Sequence, residues 1–212
     1  MEVVVVLDFD GTVTQKDIGD EVCDRFAPPI WRDIDAAWVR REISLPEAQR
    51  RMWALARCQR QEAVDYARQI GHLRAGLDRF LDAVLLCGGR LWLASGGFDF
   101  YVEAILAKRL QKFERAFFNR TRFADGKIEV EFPHSGLACS FCAVCKGLVC
   151  DQARQTYPER EIIFVGDGAS DRCAVGRADR LFAVRGSLLE KSCREVDAPY
   201  VAFDGLDELI ES

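Results

Sequence analysis

The sequence has no long hydrophobic run, and this absence already limits the class of protein. The early apolar segment Val3–Leu7 is too short for the core of a signal peptide, and no basic residue precedes it. No stretch approaches the roughly 20 apolar residues that a membrane-spanning helix needs. These absences predict a cytoplasmic protein that does not contact a membrane.

A strong excess of charge of either sign is also missing. The chain has 29 basic and 34 acidic residues among 212, and its formal net charge is only -5. The sequence therefore gives no electrostatic reason to expect nucleic acid or an anionic membrane as a partner. Repeats and low-complexity tracts are absent too, and a hydrophobic content of 49% is that of an ordinary globular protein.

What is present is an alternation of strands and helices. Val3–Leu7 and residues 161–165 are largely apolar, which is typical of buried parallel strands. The pattern also predicts a strand at 90–95, a helix at 98–110, a hairpin at 117–123 and 127–132, a helix at 146–155, and continued alternation through 180–184, 187–194, 200–203 and 206–210. The expected fold class is α/β, a doubly wound, Rossmann-like parallel sheet.

Residues 18–70 contain no convincing strand and read as consecutive helices. Ser44, Pro46 and Glu47 are typical of the start of a helix, predicted at 46–56, and Gly71 ends another at 61–70. This block is too long for a simple crossover. It predicts a small helical cap domain at 17–72 inserted into a core formed by 1–16 and 73–212, beside the strand ends where such sheets bind ligands.

Two carboxylates follow the first predicted strand. Asp8 and Asp10 are two positions apart, so an extended backbone points both side chains the same way. Two close carboxylates repel each other, and a divalent cation removes that cost, so hard oxygen ligands of this kind predict a Mg²⁺ site. The alternative is a solvated turn with two incidental aspartates.

Three further motifs fall at strand ends or helix starts. Ser95-Gly96-Gly can bind phosphate through backbone amides and a hydroxyl, or simply cap a helix. Asp167 and Asp171 lie in a glycine-rich turn and could complete a Mg²⁺ site, or form an ordinary turn. Lys146 at a helix start could stabilise developing negative charge, or be a solvated lysine.

Taken in chain order, these four motifs resemble those of the haloacid dehalogenase-like phosphohydrolases, and the subgroup that includes phosphoserine phosphatase has its helical block at the same place. The motifs are Asp8-Phe-Asp10-Gly-Thr12, Ser95-Gly-Gly, Lys146-Gly and Gly166-Asp167-Gly-x-x-Asp171. The resemblance implies a Mg²⁺-dependent phosphatase that acts on a small phosphorylated metabolite. Phosphoserine is one candidate substrate.

The resemblance also implies a role for each motif residue. Asp8 would attack phosphorus and form an aspartyl-phosphate, while Asp10 would protonate the leaving oxygen and then activate water. The implied Mg²⁺ ligands are Asp8, the backbone carbonyl of Asp10, and Asp167, with Asp171 in support. The implied phosphate-binding groups are Ser95, the Gly96 amide and Lys146.

Other stretches resemble the 2-hydroxy-3-keto-5-methylthiopentenyl-1-phosphate phosphatases of methionine salvage, which makes that enol phosphate the preferred substrate. These stretches are Phe26-Ala-Pro-Pro-x-Trp31, Ser95-Gly-Gly-Phe-Asp-Phe100, Pro133-His134-Ser135 and the cysteines before Lys146. His134 is a candidate substrate contact. Asp17 matches a cap glutamate of the phosphoserine phosphatases, and the shorter side chain argues against phosphoserine; Asp17 could equally be a helix N-cap.

Cysteines recur at every third position before Lys146. Cys139, Cys142 and Cys145 have plausible spacing for structural zinc or an iron–sulfur cluster, and Cys150 is a further candidate ligand. The alternative is a seam of buried thiols at helical spacing.

Two rivals to a phosphatase stay open at this point. A phosphotransferase or phosphomutase would use the same aspartyl-phosphate with another acceptor. A non-catalytic protein that senses a phosphometabolite, metal or redox state would lack a motif residue, and none is missing. A monomer or a homodimer is expected.

Overall fold

The valine-rich segment near the start of the chain forms the central strand of a sheet. The structure, a computed structural model, describes residues 2–135 and 139–210, and the sheet in these residues has seven strands. The strands are β1 Val3–Leu7, β2 Arg90–Phe98, β3 Arg115–Ala124, β4 Lys127–Glu131, β5 Glu161–Gly166, β6 Arg180–Val184 and β7 Val201–Phe203. Their order across the sheet is β4-β3-β2-β1-β5-β6-β7. All neighbouring pairs are parallel except the β3–β4 hairpin. The predicted α/β doubly wound fold is confirmed.

The uniform apolar character of β1 follows from packing on both faces of the sheet. Val5 and Leu7 belong to one buried cluster, whereas Val4 and Val6 belong to another on the opposite face. Since neither face meets water, the strand needs no polar alternation. The core helices are α5 Leu77–Leu86, α6 Asp99–Leu106, α7 Lys146–Thr156 and α8 Leu188–Glu195, with 3-10 helices at Ala107–Lys112, Ala169–Ala174 and Leu206–Ile210.

The block between β1 and α5 is helical, as predicted. Its helices are α1 Ile18–Phe26, α2 Trp31–Val39, α3 Leu45–Leu55 and α4 Arg60–Ile70. The predicted start of α3 is confirmed, because the Ser44 hydroxyl accepts a hydrogen bond from the Glu47 amide at 3.3 Å. The two chain connections to this block run side by side, with the Gln15 amide donating to the His72 carbonyl. We refer to residues 17–72 as the cap.

Three elements differ from the sequence prediction. Strand β2 continues to Phe98 through Ser95-Gly-Gly instead of ending at Ser95. Its register against β3 shifts between Ala94 and Phe98, where the side chain of Asn119 donates to the Gly96 carbonyl, and Phe98 pairs again with Asn119. Helix α6 ends at Leu106, followed by a 3-10 helix whose first residue, Ala107, has φ +48°. Helix α5 received no assignment from the sequence.

None of the helices in residues 2–135 and 139–210 combines the length and the apolar character needed to cross a membrane.

Candidate active site

The carboxyl ends of β1, β2 and β5 meet at one edge of the sheet, below the cap. A cavity of about 110 Å³ opens there. The four sequence motifs all contribute to it, and its core lining residues are Asp8, Asp10, Gly96, Gly97, Phe98, Tyr101, Lys146, Asp167, Gly168 and Ser170. The cap completes the lining with Asp17, Gly19, Asp20, Asp35, Leu45, Gln49, Met52 and Trp53.

Asp8 lies just beyond β1, at the floor of the cavity. Its amide donates to the Val165 carbonyl at 2.9 Å, which continues the strand pairing by one residue and fixes the backbone. Its carboxylate lies 3.3 Å from the Lys146 ammonium. Burial and the charge of Asp171 raise the pKa of Asp8 well above its usual range, and Lys146 opposes that rise.

Lys146 is the first residue of α7, and its side chain is only 1% exposed. Its ammonium contacts the Asp171 carboxylate at 3.0 Å, Asp8 at 3.3 Å and the Ser170 hydroxyl at 2.7 Å. Burial alone would lower its pKa, but the two carboxylates outweigh burial and raise it. The lysine is therefore charged, not the solvated side chain of the alternative interpretation.

Asp167 and Asp171 lie beyond β5, where backbone amides fix the position of Asp171. One Asp171 oxygen accepts from the amides of Asp167 and Gly168, both at 2.9 Å. Asp167 accepts a hydrogen bond from the Thr12 hydroxyl at 2.9 Å. Burial, followed by the charge of Asp171, raises the pKa of Asp167 to about 7.

The carboxylates of Asp8, Asp167 and Asp171 form one group, in which an oxygen from each lies within 4.8 Å of the others. Glycine at position 11 makes this approach possible. It has φ +72°, and a Cβ there would lie 2.2 Å from an oxygen of Asp167. Three carboxylates facing one buried lysine leave excess negative charge, so the donor set suits a hard divalent cation such as Mg²⁺.

Asp10 lines the same cavity but lies outside this group, and it has different partners. One of its oxygens accepts from the amide of Ile18, the first residue of α1, at 3.0 Å, and the other accepts from the Tyr101 hydroxyl at 3.1 Å. Burial and the neighbouring Asp17 raise its pKa well above the usual range. The two aspartates of the motif thus occupy different electrostatic environments.

The segment Ser95-Gly-Gly runs along the side of the cavity as part of β2. The buried Ser95 hydroxyl accepts from the Gly97 amide at 2.8 Å and lies 3.5 Å from Asp10. At Gly97 a Cβ would lie 2.2 Å from the Tyr101 hydroxyl and 2.6 Å from an Asp10 oxygen. The glycine therefore admits the Tyr101–Asp10 contact. Since α6 begins only at Asp99, the Gly96 amide does not lie at a helix N-terminus as the sequence suggested.

The cap side of the cavity is acidic. Asp17 is the N-cap of α1 and accepts from the Asp20 amide at 2.9 Å, as in the helix-cap interpretation, yet it also lines the cavity. Asp20 and Asp35 lie beside it. Burial, and then the charges of Asp17 and Asp35, raise the pKa of Asp20 to about 9. Asp20 consequently retains its proton near neutral pH, and burial raises the pKa of Asp17 and of Asp35 in the same direction.

An apolar wall lies next to these acids. Met52 and Trp53 from α3 line the cavity, together with Leu45 and Phe98. Two other tryptophans of the cap do not line this cavity: Trp31 is buried and donates to Asp24 at 3.1 Å, and Trp38 lines a separate depression.

Two sequence candidates lie elsewhere. The His134 ring packs against Phe117, 5.4 Å between centroids, and borders another depression together with Cys145 and Gln152. Cys150 lies buried within α7, outside the group that the other candidate cysteines form. That group, Cys139, Cys142 and Cys145, gains Cys173 as a fourth member.

Several cavity residues could not be identified from the sequence. Gln49 donates from Nε2 to the Gly96 carbonyl at 2.9 Å, while its buried Oε1 has no partner among the described residues. Tyr101 and Ser170 contact Asp10 and Lys146. Tyr101 follows the Ser95-Gly-Gly motif and Ser170 follows Asp167, and this proximity was the available sequence signal for both. Nothing in the sequence marked Gln49.

Comparisons with known proteins point in one direction. A family model described as haloacid dehalogenase-like hydrolase matches residues 5–175. The chain is 31% identical to a Geobacillus kaustophilus protein named 2-hydroxy-3-keto-5-methylthiopentenyl-1-phosphate phosphatase, over 100% of this chain and 95% of that protein. It is 32% identical to a protein of the same name from an Exiguobacterium species, over 96% of this chain and 94% of that protein.

Solved structures share the fold. The chain is similar to a phospho-aspartyl intermediate analogue of phosphoserine phosphatase, with a TM-score of 0.76 and 20% identity over 99% of this chain and 98% of that one. A substrate-bound phosphoserine phosphatase complex gives a TM-score of 0.75 and 19% identity, over 100% of this chain and 98% of that one.

Proposed function

The chain belongs to the haloacid dehalogenase-like hydrolases and is a phosphatase of that family, and we propose that it hydrolyses a small enol phosphate, 2-hydroxy-3-keto-5-methylthiopentenyl-1-phosphate, with Asp8 as nucleophile. The observation that carries the mechanism is the pairing of buried Asp8 with Lys146 at 3.3 Å, next to an Asp10 with its own separate partners. Lys146 favours the ionised form of Asp8 that the attack requires, against the rise in its pKa from burial and Asp171, whereas burial and Asp17 favour the protonated form of Asp10.

In the first step a carboxylate oxygen of Asp8 attacks phosphorus, and the bond from phosphorus to the leaving oxygen breaks. Asp10 donates its proton to that oxygen; its raised pKa suits this role, and the Ile18 amide and Tyr101 orient it. In the second step Asp10 takes a proton from water, which attacks the aspartyl-phosphate and releases inorganic phosphate. Asp8 is then free again.

The phosphoryl group would be bound by Ser95, the Gly96 amide and Lys146. The lysine ammonium is fixed by Asp171 and Ser170, so it need not reorganise as charge develops. Asp8, the Asp10 carbonyl and Asp167 would hold Mg²⁺, with Asp171 in support. When bound, Mg²⁺ neutralises carboxylate charge and polarises a phosphoryl oxygen.

The cavity supports a phosphate ester whose remaining part is uncharged and rich in oxygen, with an apolar end. Protonated Asp20 can donate to a keto or hydroxyl oxygen, and the unpartnered Oε1 of Gln49 can accept from a hydroxyl. The wall formed by Met52 and Trp53 suits a methylthio group. The named relatives act, by their names, on a compound with all of these groups.

Phosphoserine is the second candidate, since the acidic cap residues would attract its ammonium group. The carboxylate of phosphoserine, however, lacks a suitable partner in the cavity. Among the described residues that line the cavity, Lys146 is the only lysine or arginine, and Asp8 and Asp171 already neutralise it. A substrate carboxylate would therefore be buried without a free cationic partner among these residues, so we expect weak binding.

The mechanism is tested by hydrolysis of p-nitrophenyl phosphate with and without Mg²⁺. Asp8→Asn should lower kcat at least about a thousandfold, because the amide cannot form the covalent intermediate. Asp125→Asn is the matched control: Asp125 lies in the exposed β3–β4 turn with φ +50°, which asparagine tolerates. An Asp8→Asn variant as active as the control would refute Asp8 as nucleophile.

The substrate is tested separately with a panel of phosphorylated metabolites assayed by phosphate release. The enol phosphate should exceed phosphoserine in kcat/KM by at least about tenfold, since the latter leaves a carboxylate without a cationic partner. Equal or better hydrolysis of phosphoserine would overturn the substrate assignment while leaving the aspartyl-phosphate mechanism intact.

A further inference from the structure

Four cysteine sulfurs converge at one point beside the active site. Cys139, Cys142 and Cys145 come from the loop before α7, and Cys173 comes from the 3-10 helix Ala169–Ala174. The four Sγ atoms all lie within 4.8 Å of one another, and those of Cys142 and Cys173 are 3.6 Å apart. The fourth member is far from the others in sequence, so the fold itself creates this group.

The spacing of these sulfurs matches that of a single tetrahedral metal ion. Zinc binds thiolate sulfur at about 2.3 Å, which places tetrahedral sulfurs about 3.8 Å apart. A disulfide would need about 2.05 Å, and all nine cysteines are free. In an iron–sulfur cluster the thiolates bind different iron atoms and lie farther apart than in a mononuclear site.

The alternative interpretation, a seam of buried thiols, explains these four cysteines less well than a metal site does. Cys139 and Cys173 are partly exposed, whereas the cysteines of a buried seam would all be excluded from water. The other five cysteines, Cys23, Cys58, Cys87, Cys150 and Cys193, lie outside the group. The segment 139–145 also lies outside any helix or strand, so regular backbone pairing does not determine its course.

The surrounding charge suits a metal bound by four thiolates. Such a zinc site carries two net negative charges. Arg41 from the cap and Arg172 from the 3-10 helix border the same depression as Cys139, Cys142 and Cys173. Two arginines on the border of this depression favour a negatively charged site there.

We propose that Cys139, Cys142, Cys145 and Cys173 bind one structural Zn²⁺ ion. The ion ties the loop before α7 to the segment after β5. Cys145 directly precedes Lys146, and Cys173 follows Asp171 by two residues. The zinc thus fixes the backbone on both sides of the Lys146–Asp171 ion pair without contacting the substrate.

The same loop also supports the cap. The Leu45 amide donates to the Phe141 carbonyl at 2.9 Å, and the Arg41 guanidinium lies over the Phe141 ring, 4.5 Å from its centroid. Because Phe141 lies between two of the zinc ligands, the proposed ion also determines where the start of α3 docks.

The first test is the metal content of the full-length chain, purified with a thiol reductant and without chelators or a metal-affinity tag. Elemental analysis should give about one zinc per chain and a colourless protein. Iron in place of zinc would overturn the assignment of the metal. A chain that contains neither metal and takes up none on dialysis against zinc would overturn the site.

Matched serine variants locate the ion. Cys139→Ser and Cys173→Ser should each lower the zinc content at least about tenfold, because serine is a poor zinc ligand. Cys87→Ser is the control, since Cys87 is exposed at the end of α5. Unchanged zinc in both ligand variants would refute the site.

Cobalt substitution gives a readout that does not depend on whether a variant folds. In the wild-type chain, Co²⁺ bound by four thiolates should produce intense sulfur-to-metal charge-transfer absorption and the visible bands of a tetrahedral ion. A weakly absorbing octahedral spectrum, as expected from oxygen ligands at the carboxylate group, would contradict the proposal. None of these measurements depends on catalytic activity, so the result is independent of the proposed function.

Discussion

The raised pKa of Asp167 makes the proposed binding of Mg²⁺ depend on pH. Its pKa of about 7 arises from burial and from the charge of Asp171. The pKa of Asp8 is raised in the same direction. In the metal-free protein these groups retain protons at a pH where free aspartate is ionised.

We therefore predict that the apparent Mg²⁺ affinity falls as the pH drops below about 7, by up to about tenfold per pH unit for each proton displaced. Below the raised pKa, Mg²⁺ must displace a proton; above it, the carboxylate is free and the affinity levels off. Calorimetric titration in buffers of different ionisation enthalpy measures both the affinity and the proton release.

Asp167→Asn should bind Mg²⁺ weakly and lose most of this pH dependence, whereas Asp125→Asn should behave as the wild type. An affinity that stays constant between about pH 6 and pH 8 would contradict the raised pKa of this group.

At the scale of elements, the site depends on how closely the start of α7 approaches the 3-10 helix Ala169–Ala174. Gly147 marks this contact, because a Cβ on it would lie 2.1 Å from the Cys173 carbonyl oxygen. The two elements carry Lys146 and Asp171, so a change in their spacing alters the ion pair directly.

Gly147→Ala should lower the free energy of unfolding by about 1–3 kcal/mol, because the overpacking cost exceeds the gain of about 1 kcal/mol in helix propensity. Urea denaturation measures the change, and kcat should fall as Lys146 moves. Gln155→Ala, at an exposed position of the same helix, should stay within about 0.5 kcal/mol of the wild type. A Gly147→Ala variant as stable as that control would mean that this contact is not tight.

The sequence predicted those parts of the fold and site that local patterns determine. The strands that directly precede Asp8 and Asp167 could be recognised from the sequence as apolar runs, because a strand buried on both faces has no polar alternation. The extension of β2 through Ser95-Gly-Gly could not be recognised in this way, since it involves a shift of register against another strand, β3.

Long-range contacts explain the other omissions. Cys173 stands alone in the sequence and joins the cysteine group only through the packing of α7 on the 3-10 helix. Gln49 is one of several polar residues on α3, and only the docking of that helix places it against Gly96. For His134 the sequence suggested a substrate contact, whereas in the structure this residue follows the β3–β4 hairpin and lines a depression separate from the active-site cavity.

At the scale of the whole molecule, the cap contacts the core at several separate places. Gln49 donates to the Gly96 carbonyl, Leu45 pairs with Phe141, and the Cys58 amide donates to the Gly126 carbonyl at 3.1 Å in the β3–β4 turn. The cavity therefore exists only where cap and core lie together, and docking of the cap should influence substrate binding.

We predict that Gln49→Leu raises KM for the enol phosphate at least about tenfold. The variant loses a hydrogen bond between cap and core, and it removes the acceptor proposed for a substrate hydroxyl. Its kcat with p-nitrophenyl phosphate, which lacks that hydroxyl, should change less. Steady-state kinetics on both substrates measure the difference.

Gln61→Leu is the control, because Gln61 lies on the exposed face of α4 in the same cap and bonds only to its helix neighbour Asp65 in the described structure. Equal KM values for Gln49→Leu and Gln61→Leu would show that Gln49 does not contribute to substrate binding.

The hydrogen bond from the Ile18 amide to Asp10 joins the proposed acid–base group of the core to the first residue of the first cap helix. This bond lowers the pKa of Asp10 against the larger effect of burial. Any opening that carries Ile18 away would also admit water and end the desolvation of Asp10. The position of the cap would then set the protonation of Asp10: closure would favour the protonated form that donates to the leaving group in the proposed mechanism, and opening would favour the ionised form.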